Sequence, residues 1–157
     1  MTDTRGDGRH RCVVVGYDGS EAARAAVRYG ARRAGPGGLL VPVYAFGPPP
    51  DWLGHPSYQQ VLDSHRSRGQ ELLDSLSAEA IDLGGAEVEP ELIAGHPAEA
   101  LAKVAETRDA DEIVVGSRGH GRVRAMLGSV SHELLHLADR PVVVIPERLV
   151  EREGLRG

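Results

Sequence analysis

Cysteine is nearly missing from this chain. Cys12 is the only one in 157 residues, so no intrachain disulfide can staple the fold, in keeping with a reducing, cytoplasmic setting. It lies within the apolar run CVVVG, where a small buried residue is expected rather than a reactive thiol. Lysine is equally scarce, with Lys103 alone among arginines. The formal net charge of −5 argues against a general nucleic-acid surface, which is usually basic. No run of about 18 or more apolar residues occurs, so no segment reads as membrane-spanning. The first eleven residues, MTDTRGDGRHR, lack the apolar stretch of a secretory signal and read as a short loose leader. Neither a Walker A motif nor G-x-G-x-x-G follows the first apolar run, which weakens the common P-loop and dinucleotide readings. No Ser-His-Asp or Cys-His arrangement can be argued from spacing.

What is present has the balance of a soluble globular protein, with 41% apolar and 26% charged residues. The length suits one domain spanning 1–157. Its core is expected over about 12–146, followed by a charged tail, ERLVEREGLRG. Five short runs read as strands: CVVVGY (12–17), LLVPVYAF (39–46), AEVEPELIA (86–94), DEIVVGS (111–117) and PVVVIP (141–146). The first, fourth and fifth are almost continuously apolar, as central parallel strands are. The third alternates Val88, Leu92 and Ala94 with glutamates, which suits a more exposed place.

Helical patterns separate these runs. Ala23, Ala26, Val27, Gly30, Ala31 and Ala34 trace one helix face of small residues after Ser20. A longer helix is predicted from Tyr58 to Leu83 and is stopped by Gly84 and Gly85. A third starts at Pro97 with Leu101, Val104 and Ala105 turned inward. The last runs from about Ser129 to Ala138. The proline-rich stretch 47–57 is predicted to contain no regular element, with Trp52 anchoring it rather than serving as a flap. The β-α-β-α-β-α-β-α-β order predicts an α/β fold: a doubly wound parallel sheet with helices on both faces.

In such sheets ligands bind beyond the carboxyl ends of the strands, where the winding reverses. Two strand ends carry unusual chemistry: Gly16-Tyr17-Asp18-Gly19-Ser20 and Gly116-Ser117-Arg118-Gly119-His120-Gly121. The glycines would let backbone N–H groups approach phosphate oxygens. A helix opening at Gly128-Ser129 would turn its positive end toward an anion. Arg118, Arg122 and Arg124 could add charge, and His120 a polar contact. Asp18 could accept hydrogen bonds from ribose hydroxyls, or it could merely cap the first helix. Tyr17 could line the pocket or pack beneath it.

Taken together, GYDGS, AGHPAEAL and VVGSRGHG…LGSVS…ADRPVVVIP resemble the universal stress protein family, from about Cys12 to Pro146. The resemblance implies a Rossmann-like, five-stranded parallel sheet of order 3-2-1-4-5 and a homodimer formed along the fifth strand. It also implies a regulatory role in stress response rather than catalysis, with slow ATP hydrolysis at most. Nucleotide-binding members carry G-x2-G-x9-G-S/T around the phosphates of ATP. On that pattern Gly116, Gly119, Gly128 and Ser129 would hold phosphate, flanked by Val115, Gly121 and Val130. Asp18, with Gly16 and Tyr17, would lie near the adenosine, and Val43 beside the adenine. The implied cofactor is ATP or another adenine nucleotide, with magnesium left open. The spacer HGRVRAML is one residue shorter than the family's. If the loss fell within a helical turn, the following side chains would rotate by about 100° and misplace Gly128 and Ser129.

One motif competes. HELLH (132–136) matches H-E-x-x-H, in which two histidines four apart grip zinc and the glutamate acts as base. The extended metalloprotease form would need glycine and histidine where Asp139 and Val142 stand, and only a strand and a tail follow to offer a third ligand. On a helical wheel Val130, Leu134 and Leu137 share one side, with His132 and His136 roughly opposite. The motif therefore reads as the wet face of a helix, open at most to weak zinc or nickel binding. A zinc hydrolase is a remote alternative. A dimer that binds no nucleotide and acts through protein partners is a nearer one.

Overall fold

In the computed structural model, described at residues 10–79, 83–117, 128–146 and 148–149, the β-branched runs form strands. These are β1 (Cys12–Gly16), β2 (Leu39–Phe46), β3 (Glu87–Val88), β4 (Glu91–Ala94), β5 (Glu112–Gly116) and β6 (Val142–Ile145). The helices are α1 (Glu21–Ala34), α2 (Ser57–Glu79), α3 (Pro97–Thr107) and α4 (Ser129–Leu137). All pairings are parallel, and the strand order is β3-β2-β1-β5-β6, with β4 also paired to β2. Counting β3 and β4 as the two halves of a third strand gives the expected order, 3-2-1-4-5.

Alternation along the central strands divides the core into two layers. Val13 and Val15 of β1 pack with α1 and α2, whereas Val14 packs with α3 and α4. Burying each such side chain contributes about 1.5–3 kcal/mol, and the three valines are fully enclosed. The small-residue face of α1 is buried as its spacing predicts. A Cβ on Gly30 would lie 2.7 Å from Val15 Cγ2, so glycine is what lets α1 approach β1 so closely. Leu101, Val104 and Ala105 of α3 are buried as expected. Arg140 ties the second layer together by donating to the carbonyls of Ala105 and Ala110 at 2.7 and 2.8 Å.

The third strand is interrupted, which the glutamate alternation does not reveal. The Glu89 N–H donates to Leu40 O at 2.9 Å, so Leu40 faces that neighbour and Pro42, two residues on, faces it as well. Proline has no N–H to give, and the ladder lapses at Glu89 and Pro90. Other departures are local. The stretch 47–57 contains a short 3₁₀ turn at Asp51–Leu53, and α2 begins at Ser57 instead of Tyr58. Leu83 lies beyond the described part of α2, and Gly84 and Gly85 both adopt positive φ, at 67° and 81°. Trp52 does not anchor its loop: it is 84% exposed. Among the described residues no helix is long and apolar enough to cross a membrane.

Candidate functional site

The carboxyl ends of β1 and β5 are neighbours, with Val15 of β1 in register with Val114 of β5. Above them opens a cleft of about 170 Å³, partly open to solvent. β1 and the turn after it contribute Gly16, Tyr17 and Asp18; β2 contributes Val43; β5 contributes Val115 and Gly116; and α4 contributes Val130. Seven of the residues singled out in the sequence thus meet in one place. Arg118, Gly119, His120 and Gly121 lie outside the described residues, as do Arg122 and Arg124.

The turn after β1 is built by short-range hydrogen bonds. Ser20 is the N-cap of α1, its hydroxyl accepting from the Ala23 N–H at 3.1 Å. Asp18 Oδ1 accepts from the Ser20 N–H at 2.9 Å, and Gly19 supplies the positive φ of 82° between them. Capping therefore falls to Ser20, not to Asp18, which only braces the turn while lining the cleft. Tyr17 both lines the cleft and packs into the core. Its N–H donates to Val43 O at 2.9 Å, extending the β1–β2 ladder to the cleft rim.

Gly128, the N-cap of α4, and Ser129, its first residue, do not themselves line the cleft; the next residue, Val130, does. The Gly128 N–H donates to Ser117 O at 2.7 Å, and its carbonyl accepts from the His132 N–H at 3.0 Å. Despite the shorter spacer, the start of α4 stands at the end of β5. Gly116 is required by packing: a Cβ there would lie 2.8 Å from that of Ala22 and 3.2 Å from the Ala22 carbonyl carbon.

Ser20, Ala23, Ala45, Pro97 and Leu101 also line the cleft, and the sequence pattern alone did not assign them to it. Two of them left a signal. Ala45 stands two residues beyond Val43, hence on the same strand face. Leu101 lies one helical turn beyond Pro97, the first residue of α3. The wall is mostly apolar, and among the described lining residues Asp18 is the only charged one. Onto it converge the N-cap of α1, the first residue of α3 and the second residue of α4. Helix N-termini carry partial positive charge, so their convergence favours an anion.

On α4, Leu134 is buried and His132 and His136 are exposed, with ring centres 5.3 Å apart. Leu137 is not on the buried face: it is 45% exposed. Ser131 is buried instead, its hydroxyl donating to Gly128 O at 3.0 Å. Among the described residues no third histidine, cysteine or carboxylate joins the pair.

Comparison with known proteins agrees with this architecture. The sequence profile of the universal stress protein family matches residues 10–146. A universal stress protein encoded in the QAH/OAS sulfhydrylase 3' region of Thermus aquaticus is 37% identical over 138 residues, covering 86% of this chain and 98% of that one. Among solved structures, the universal stress protein UspA of Lactobacillus plantarum superposes with a TM-score of 0.74 at 22% identity, covering 88% of this chain and 99% of that one. An Arabidopsis thaliana family member with AMP bound gives a TM-score of 0.63 at 17% identity, over 87% of this chain and 91% of that one. A universal stress protein in complex with cAMP gives 0.57 at 24% identity, over 87% and 97%.

Proposed function

The chain belongs to the universal stress protein family, and we propose that it binds an adenine nucleotide, ATP or a close relative, in the cleft above β1 and β5 and acts as a regulatory protein in stress response. One observation carries the reading: the N-terminal ends of three helices face a largely apolar cleft that holds a single described carboxylate. The chemistry of the lining matches the parts of such a ligand. Val43, Ala45 and Leu101 offer apolar contact to a base, Asp18 offers acceptors to ribose hydroxyls, and the start of α4 offers a positive end to phosphate. The same fold holds AMP in one neighbour and cAMP in another.

Within this proposal Gly16, Tyr17, Asp18, Val43, Val115, Gly116, Gly128, Ser129 and Val130 are the binding residues, and Arg118, Gly119, His120 and Gly121 complete the phosphate loop. Magnesium, if required, would arrive with the phosphates, because the described wall offers no second carboxylate to hold it. No described lining residue is a histidine or lysine placed to activate water, so hydrolysis is expected to be slow at most. Residues 1–157 are read as one domain working in the cytoplasm. We also read β6 as the seam of a homodimer: Val142, Val143 and Val144 are half-buried at the sheet edge, and Leu135 and Leu137 on α4 are exposed.

Those exposed apolar residues also favour a second reading, a dimer that signals through protein partners without a nucleotide. Denaturing the purified protein and identifying the released small molecules separates the two. Adenine nucleotide approaching one per chain supports the first. Its absence, together with no thermal stabilisation by any added adenine nucleotide, supports the second.

A further inference from the structure

We propose that His132 and His136 form a surface chelate for a borderline divalent transition ion, of the class of zinc, nickel and copper. Four residues apart on α4, the two imidazoles rise from the same side of the helix, and both are exposed. Their ring centres are 5.3 Å apart and their planes are inclined at 72°. A tetrahedral ion about 2.1 Å from one nitrogen of each ring would hold the two ring centres roughly 5 Å apart. The rings therefore already stand near the spacing that chelation demands.

The donor set selects the ion. Neutral imidazole nitrogens suit zinc, nickel and copper, whereas magnesium and calcium prefer oxygen ligands. No third described histidine, cysteine or carboxylate completes the cluster, so the remaining positions fall to water or to donors brought by a ligand. This is not the closed geometry of a structural zinc site, and it lacks the third protein ligand of a catalytic one. An ion there bridges one turn of α4, whose second residue, Val130, lines the cleft. The consequence is a brace on that helix and not a reaction centre.

The test uses untagged, full-length protein freed of metal by chelation and dialysis, titrated calorimetrically with zinc, nickel, copper and magnesium salts. The expected result is one equivalent of each transition ion, copper tightest as the Irving–Williams order requires, and no uptake of magnesium. His132→Ala and His136→Ala should each weaken binding about tenfold or more, since either leaves a single ligand. Both substitutions put a strong helix former at an exposed position, so folding is retained, which a circular dichroism melt confirms. Moving the second ligand, in the double variant His136→Ala/Leu137→His, should not restore binding because the two rings then diverge around the helix. Wild-type affinity in the His132→Ala/His136→Ala double variant would assign the ion to the chain's other histidines and overturn the proposal. So would equal affinity in the displaced variant, or tight magnesium binding.

Discussion

The Gly128 N–H donates a 2.7 Å hydrogen bond to the Ser117 carbonyl, fixing the start of α4 to the end of β5. Gly128 itself has φ −60° and ψ 156°, a conformation open to any L residue, so its backbone does not demand glycine. It is buried, and Val130, two residues on, lines the cleft. We expect Gly128→Arg to abolish nucleotide-induced thermal stabilisation, because a long cationic side chain at this buried N-cap would displace the start of α4. A full stabilisation by ATP in that variant would place the ligand elsewhere.

Gly116 answers to packing. A methyl carbon added there would meet Ala22 Cβ at 2.8 Å and the Ala22 carbonyl carbon at 3.2 Å, so Gly116→Ala forces α1 to shift. The expected loss is about 1–3 kcal/mol in a urea melt. Unchanged stability would mean that α1 does not lie as close to β5 as it does here.

Asp18 and Ser20 occupy one turn and should separate cleanly. Ser20→Ala removes the N-cap acceptor of Ala23 and should cost about 1 kcal/mol of stability. Asp18→Asn retains an oxygen for the Ser20 N–H, so stability should barely change. Nucleotide affinity, however, should fall by about tenfold or more, the usual scale of a lost charge-assisted hydrogen bond. Thermal melts with and without nucleotide distinguish the two effects.

Far from the cleft, Glu112 on β5 is buried, and Arg33 of α1 grips both of its oxygens at 2.8 and 3.1 Å. Arg33→Met would strand that carboxylate in the α1 layer, at an expected cost of about 2–4 kcal/mol, reduced somewhat by the partial exposure of Arg33. Chemical denaturation measures it.

Asp139 carries a pH signature. The hydrogen bond from Arg140 holds its carboxyl below the ordinary aspartate range. A carboxylate depressed in the folded state adds stability at neutral pH that fades as acid protonates it. The melting difference between wild type and Asp139→Asn should therefore be constant above about pH 5 and shrink below about pH 4. Because Asp139 is largely exposed, that difference should be small throughout.

The sheet order 3-2-1-4-5 followed only from the family resemblance, whereas the strands and both helical layers were legible because the strands are apolar runs and the helices carry period-3.6 faces. The break between β3 and β4 was not, since it depends on which side of β2 Pro42 faces, and register is invisible in one sequence. Leu137 and Ser131 exchanged their expected roles on α4 for a related reason. The helix packs chiefly against α3, which buries Ser131 and Leu134 one turn apart and leaves its last residue, Leu137, outside the contact. The cleft was legible at Asp18 and Gly116, which stand just beyond β1 and at the end of β5, and at Val43, inside β2, only through the family resemblance. Pro97 and Leu101 went unassigned because only the crossover after β4 brings α3 to that rim.

The central claim is that the cleft above β1 and β5 holds an adenine nucleotide. Calorimetric titration of nucleotide-stripped protein with ATP, AMP, cAMP and GTP tests it most directly, with Asp18→Asn and Gly128→Arg run in parallel. The account predicts one site per chain for at least one adenine nucleotide, weaker GTP binding, and loss of affinity in both variants. Binding that both variants retain, or no heat with any adenine nucleotide, would contradict it.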